Sequence, residues 1–135
     1  MAIRLDSVLN HLQEMDELDR FDYLLCLSFQ EFQPEETLRR PENLFRECES
    51  NLWLDVSFSG GKTLIHCDSD AAIVRVFARL LLQEIAAHPE AAVDTDWMES
   101  EYLGEILSPR TRRGLKKMIC HVSDMVKKHN EEMYL

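Results

Sequence analysis

The sequence lacks most of the short motifs by which enzymes show themselves. It has no glycine-rich phosphate loop, no G-x-S-x-G elbow and no H-E-x-x-H pair, so a nucleotide cradle, a serine-hydrolase nucleophile and a zinc-protease helix are not written in it. Its four cysteines, Cys26, Cys48, Cys67 and Cys120, form no C-x-x-C pair, whereas closed zinc sites bring their ligands in close pairs on tight turns. Basic charge is also short. Fifteen Lys and Arg stand against 25 Asp and Glu, a net charge of −10. That balance argues against a nucleic-acid binder, which needs a cationic face to displace phosphate counterions, and against docking on anionic membranes. No apolar run is long enough to span a bilayer. The N-terminal M-A-I-R-L-D has neither the apolar core nor the cleavage site of a leader, so a cytoplasmic location with free thiols is expected.

What is present is an ordinary folding composition, 45% hydrophobic and 30% charged, in a length that suits a single domain over 1–135. Leu5, Val8, Leu9, Leu12 and Met15 recur at helical spacing, with Asp6 or Ser7 as cap. A second helix follows from about Asp16, with Leu18, Phe21, Leu24, Leu25 and Phe29 packing inward and Cys26 as a small buried hydrophobe. Gln33 to Pro41 is a loop. Leu52, Leu54, Val56 and Phe58 alternate with Trp53, Asp55 and Ser57, the period of a strand. Ser59-Gly60-Gly61-Lys62 reads as a hairpin turn and Thr63 to Cys67 as the returning strand, with a short third strand at Asn43 to Phe45. Asp68-Ser69-Asp70 opens a long helix to about Ala87, with Ser69 as cap. A shorter helix fits Asp96 to Ile106. Ser108-Pro109 starts the last one, whose Arg110, Arg112, Arg113, Lys116 and Lys117 form the most basic patch on an acidic chain. The class is α+β, a small antiparallel sheet of two to three strands packed against helices.

Among the cysteines, Cys48 is the one placed for chemistry. It lies in a short polar run between apolar ones, ahead of a strand, where a scaffold can present a reactive tip. Arg46 favours its thiolate, while Glu47 and Glu49 oppose it. A hydrolytic nucleophile between two acids with no base at hand is ill equipped, so an acceptor activated by a partner's site fits better. His66-Cys67 and Cys120-His121 are adjacent pairs with metal-ligating side chains, but His66 and Cys67 are neighbours on a strand, point to opposite faces and do not easily share an ion.

Three stretches carry a resemblance. Cys48-Glu49-Ser50-Asn51-Leu52-Trp53 resembles the Cys-Gln-Ser-x-Val-Trp motif of the SufE sulfur-acceptor family. Asp68-Ser69-Asp70-Ala71-Ala72-Ile73-Val74 resembles that family's Asp-Ser-Asp-Ala-x-Ile-Val run, and Leu107-Ser108-Pro109 with Gly114-Leu115 its entry to the last helix. The chain departs from the pattern at Glu47 and Val76, where glycine is usual, at Glu49, where glutamine is usual, and at Thr111, where arginine is usual.

The resemblance implies a SufE/IscU-like fold and a definite chemistry. Such proteins accept persulfide sulfur from a pyridoxal-phosphate cysteine desulfurase, stimulate that enzyme, and hand the sulfur to an iron–sulfur scaffold complex. They are accessory proteins rather than free-standing enzymes and hold no cofactor of their own. By this resemblance Cys48 is the sulfur carrier, and Arg46, Asp70, Arg110, Arg112 and Arg113 are expected to contact the partner or support the loop. Two other readings stand beside it. One is a module that docks on a desulfurase or scaffold without transferring sulfur. The other is a cluster or metal scaffold, which requires Cys48, Cys67 and the Cys120-His121 pair to converge.

Overall fold

The computed structural model describes residues 3–133. Met1 and Ala2, part of the N-terminal stretch read above, lie outside the described residues. The described elements run α1 (Leu5–Gln13), α2 (Glu17–Gln30), β1 (Leu52–Ser59), β2 (Lys62–Ser69), α3 (Ala72–Ala87) and α4 (Pro109–Met133), with short 3-10 turns between them. This is the α+β arrangement expected, with helices against a small antiparallel sheet.

The sheet is one hairpin. Its register pairs Leu54 with Cys67, Val56 with Ile65 and Phe58 with Thr63, so these residues share a face. Gly60 and Gly61 turn it with φ of 57° and 76°, backbone that residues with a Cβ rarely adopt. The third strand expected at Asn43 to Phe45 is reduced to a single bridge, Leu44 to Trp53. Pro41, which cannot donate to a ladder, opens a 3-10 turn immediately before it.

The central element is α3. Val74, Val76, Phe77, Ala78, Leu80, Leu81, Leu82 and Ile85 are all buried, so it is apolar on nearly every side, as a helix with neighbours all round must be. Arg75 is buried there too. Its guanidinium donates to the carbonyls of Phe32 (2.7 Å), Ser69 (2.9 Å) and Ser28 (3.3 Å). Burial lowers its pKa and the charge of Asp68 holds it up.

Several expectations fail locally. Ser69 is not a helix cap but the end of β2; its hydroxyl donates to Asn51 O at 2.6 Å and accepts from Ala71 N at 3.2 Å. The start of α1 is Arg4 without a side-chain cap, rather than Asp6 or Ser7. The helix expected over Asp96 to Ile106 is two 3-10 turns, Asp96–Glu99 and Glu101–Leu103. On α2, Leu24 and Leu27 are buried, but Leu18 is 79% exposed and Phe29 66%, and Phe21 and Cys26 also face solvent. Only one flank of that helix meets the core, so the remaining apolar residues have nothing to pack on. Elsewhere Ser108 caps α4 as expected, accepting from Thr111 N at 3.1 Å.

Candidate functional site

Phe45 to Leu52 forms a loop closed at its base. Phe45 N donates to Leu52 O at 2.7 Å, and Asn51 Nδ2 donates to Asp70 Oδ2 at 2.8 Å across to the β2–α3 junction. The hydroxyl of Ser69 holds Asn51 O from the same side. The far end of the loop, from Arg46 to Ser50, is turns and bends.

Cys48 sits in that outer part, half-buried against the surface of α4. The contact is with Gly114. A Cβ on Gly114 would stand 2.8 Å from Cys48 Sγ, closer than real Cβ atoms approach, and a tight 3.1 Å from its Cα and 3.2 Å from its Cβ. Glycine is therefore required for the loop to lie where it does. Burial is the main cause that pushes the Cys48 thiol above its ordinary pKa, and the charge of Glu49 adds to it. Backbone N–H groups of Ser50 and Glu49 act in the opposite sense, favouring the thiolate. The tucked thiol is thus held mainly protonated, with two amide donors ready for the anion.

The residues named beside Cys48 divide. Arg110 reaches the loop, its Nη1 3.1 Å from Glu49 Oε1, with both side chains exposed. Arg112 turns the other way, donating to Met98 O at 3.4 Å and lying 3.9 Å from Glu99. Arg113 lines a groove of about 420 Å³ together with Glu47, Lys116, Lys117 and Cys120. Arg46 is exposed. Asp70 holds Asn51 at the loop base. Thr111, at the position where arginine is usual, spends its hydroxyl accepting from Ser108 Oγ at 2.9 Å.

Asp68 is the residue that sequence reasoning passes over. It is fully buried beneath the loop base, receives Arg39 Nε at 2.7 Å and lies 3.6 Å from Arg79 Nη2. Arg39 also covers the Trp53 ring at 5.2 Å. Asp68 and Asp70 look alike in sequence, and what separates them is that Asp68 is still in the strand, opposite Trp53, with Arg39 and Arg79 at its carboxylate. Its partners Arg39 and Arg79 are distant in sequence, so no local pattern points to it.

Cys67 is buried on the hairpin, its thiol pushed up to about 12 by burial, with Arg79 opposing. Cys48, Cys67 and Cys120-His121 do not converge: among the described residues no three of His, Cys, Asp and Glu group so as to hold a metal ion. Nor is any helix among them long and apolar enough to cross a membrane.

Two comparisons bear on this arrangement. The chain resembles a solved protein, the solution structure of a hypothetical protein from Thermus thermophilus, at 25% identity and a TM-score of 0.65, over 92% of this chain and 93% of the other. The family model SufE, an Fe-S metabolism associated domain, matches residues 6–126. That span takes in α1 to most of α4, including the Cys48 loop, the buried Asp68 and Gly114, and so this chain belongs to the SufE family, associated with iron–sulfur metabolism.

Proposed function

We propose that the protein is a sulfur acceptor for a cysteine desulfurase, working in the cytoplasm, with Cys48 as the carrier. The observation that carries this reading is the Cys48 loop itself: one thiol of a SufE-family chain on an outer loop, tucked against Gly114 and joined to α4 by an exposed ion pair.

The chemistry is a sulfur-to-sulfur displacement. The Cys48 thiolate attacks the outer sulfur of the partner's cysteine persulfide. A bond forms between Cys48 Sγ and that sulfur, the partner's S–S bond breaks, and the partner leaves as a thiolate. Cys48 is left as a persulfide for delivery to the iron–sulfur scaffold complex, and removal of the product sulfur stimulates the desulfurase. In the tucked state burial disfavours the thiolate and shields whatever sulfur Cys48 carries. Swung out, the thiol loses that burial and ionises more readily. The pyridoxal phosphate of this system belongs to the desulfurase; this chain contributes a thiol and a docking surface.

A second reading, a module that docks on the desulfurase without transferring sulfur, draws on Glu49, whose charge opposes the thiolate. Intact mass separates the two. Incubated with its desulfurase and cysteine, the wild-type protein gains about 32 Da per retained sulfur and Cys48→Ser gains none. Undiminished gain in Cys48→Ser removes Cys48 from the role. No gain in the wild type, with desulfurase binding and stimulation intact, supports the docking module instead.

A further inference from the structure

The cations at the start of α4 are not equally engaged. Glu99 takes Lys116 at 2.7 Å and Arg112 at 3.9 Å, and Glu49 takes Arg110. Arg113 and Lys117 are exposed and have no ion-pair partner among the described residues. With Lys116 they line the groove of about 420 Å³ that Glu47 enters from the loop and Asp124 closes further along α4. On a chain of net charge −10, Arg113 and Lys117 are two adjacent cations on one helix face left without an ion-pair partner among the described residues. The loop meets it with an acid on each side of its thiol. Glu49 pairs with Arg110, Glu47 faces the groove, and Cys48 lies between them on Gly114.

We propose that this groove is the docking surface for an acidic segment of the protein that exchanges sulfur with Cys48, and that Glu47 and Glu49 hold the loop on α4 in competition with that segment. Naming the partner rests on the sulfur-acceptor reading; the competition itself does not. An incoming carboxylate run satisfies Arg113 and Lys117, displaces Glu47 from the groove and competes with Glu49 for the neighbouring Arg110, so docking and release of the thiol become one event. An exposed ion pair such as Glu49–Arg110 is weak and screened by salt, which suits a latch that must be displaced: it shifts the loop population by roughly two- to fivefold.

The test uses this protein without any desulfurase, so its outcome is independent of sulfur acceptance as read by intact mass. The alkylation rate of Cys48 by iodoacetamide is followed peptide by peptide, because Cys26 and Cys120 are also exposed. Binding of a fluorescein-labelled hexaglutamate peptide is followed by anisotropy at fixed ionic strength. Arg110→Gln removes a cation from the neighbourhood of the thiol, a change that electrostatics alone does not turn into a faster reaction; release of the latch speeds it, by roughly two- to fivefold. Hexaglutamate accelerates Cys48 alkylation in the wild type but not in the Arg113→Gln/Lys117→Gln double variant, and Glu47→Gln/Glu49→Gln binds the peptide more tightly than wild type. Slower alkylation in Arg110→Gln overturns the proposal. So does a Cys48 rate unchanged by saturating peptide, equal peptide binding by the Arg113/Lys117 variant, or tighter binding of a single-stranded oligonucleotide than of the peptide.

Discussion

Cys48 Sγ occupies the space that any side chain at position 114 would need, so the loop and the helix meet only because residue 114 is glycine. Gly114→Ala tests what that contact does. Alanine inside a helix is ordinarily favoured over glycine by about 0.5–1 kcal/mol, whereas forcing a methyl group into an occupied space costs about 1–3 kcal/mol. The loop can yield, since an exposed ion pair is what joins its outer part to α4. The expected result is a melting temperature close to wild type and a faster Cys48 alkylation. A rate equal to wild type would mean that the contact does not restrain the thiol.

The pH profile of Cys48 alkylation should inflect above the ordinary thiol range, because burial and then Glu49 raise its pKa. Glu49→Gln removes the second cause and, by loosening the loop, part of the first, so the inflection moves to lower pH without reaching that of an unhindered thiol. Gly114→Ala removes burial and moves it further. The order wild type, Glu49→Gln, Gly114→Ala, from high to low, is the expected outcome, and a reversed order would show the charge to outweigh burial.

Cys67 gives stability a dependence on alkaline pH. Its folded-state pKa is raised to about 12, so the native state holds the proton that the unfolded chain releases. Stability from this group is complete below the unfolded value of about 8.5 and declines as pH rises toward the folded one. Comparing melting temperatures across this range, the fall should be steeper in wild type than in Cys67→Ala, though the alanine variant starts lower because of the cavity it creates.

The two acids of the Asp68-Ser69-Asp70 run should behave differently. Asp68→Ala strips a fully buried carboxylate from Arg39 and Arg79, and breaking such a network costs about 3 kcal/mol, the low end for a buried pair, because both arginines keep some access to water. Asp70→Ala loses one exposed hydrogen bond, a cost of about 1 kcal/mol. Urea unfolding measures both, and faster Cys48 alkylation in Asp70→Ala would report loosening of the loop base.

On α2, Leu24→Ala should cost about 2–5 kcal/mol as a core cavity. Leu18→Ser or Phe29→Ser should fall within about 0.5 kcal/mol of wild type.

Those α2 residues mark the limit of what periodicity conveys. Helical spacing locates α2 and its two sides, but it assigns Leu18, Phe21 and Phe29 to the core because apolar spacing cannot tell a packed stripe from an unpartnered one. The hairpin is readable, since alternation and Gly60-Gly61 act locally. Ser69 is misread because the same residue type that caps helices can also brace a strand end when a carbonyl such as Asn51 O comes within reach. Cys48 is singled out by its flanking residues, and its loop lies where the motif places it. Its packing on Gly114 and the pair between Glu49 and Arg110 join residues far apart in the chain, and composition has no means of stating them.

Arg75 has a consequence for how the molecule comes apart. Its three carbonyl acceptors lie near the end of α2, just beyond it and at the end of β2, so one buried guanidinium on α3 rivets together two stretches that the chain leaves well separated, Ser28 to Phe32 and the end of β2. Neither can open without stranding a desolvated charge, which makes the floor under the loop a cooperative unit in hydrogen exchange. The amides of Arg46 to Ser50 should exchange orders of magnitude sooner. The stiffest part of the molecule then lies directly under the segment that presents Cys48.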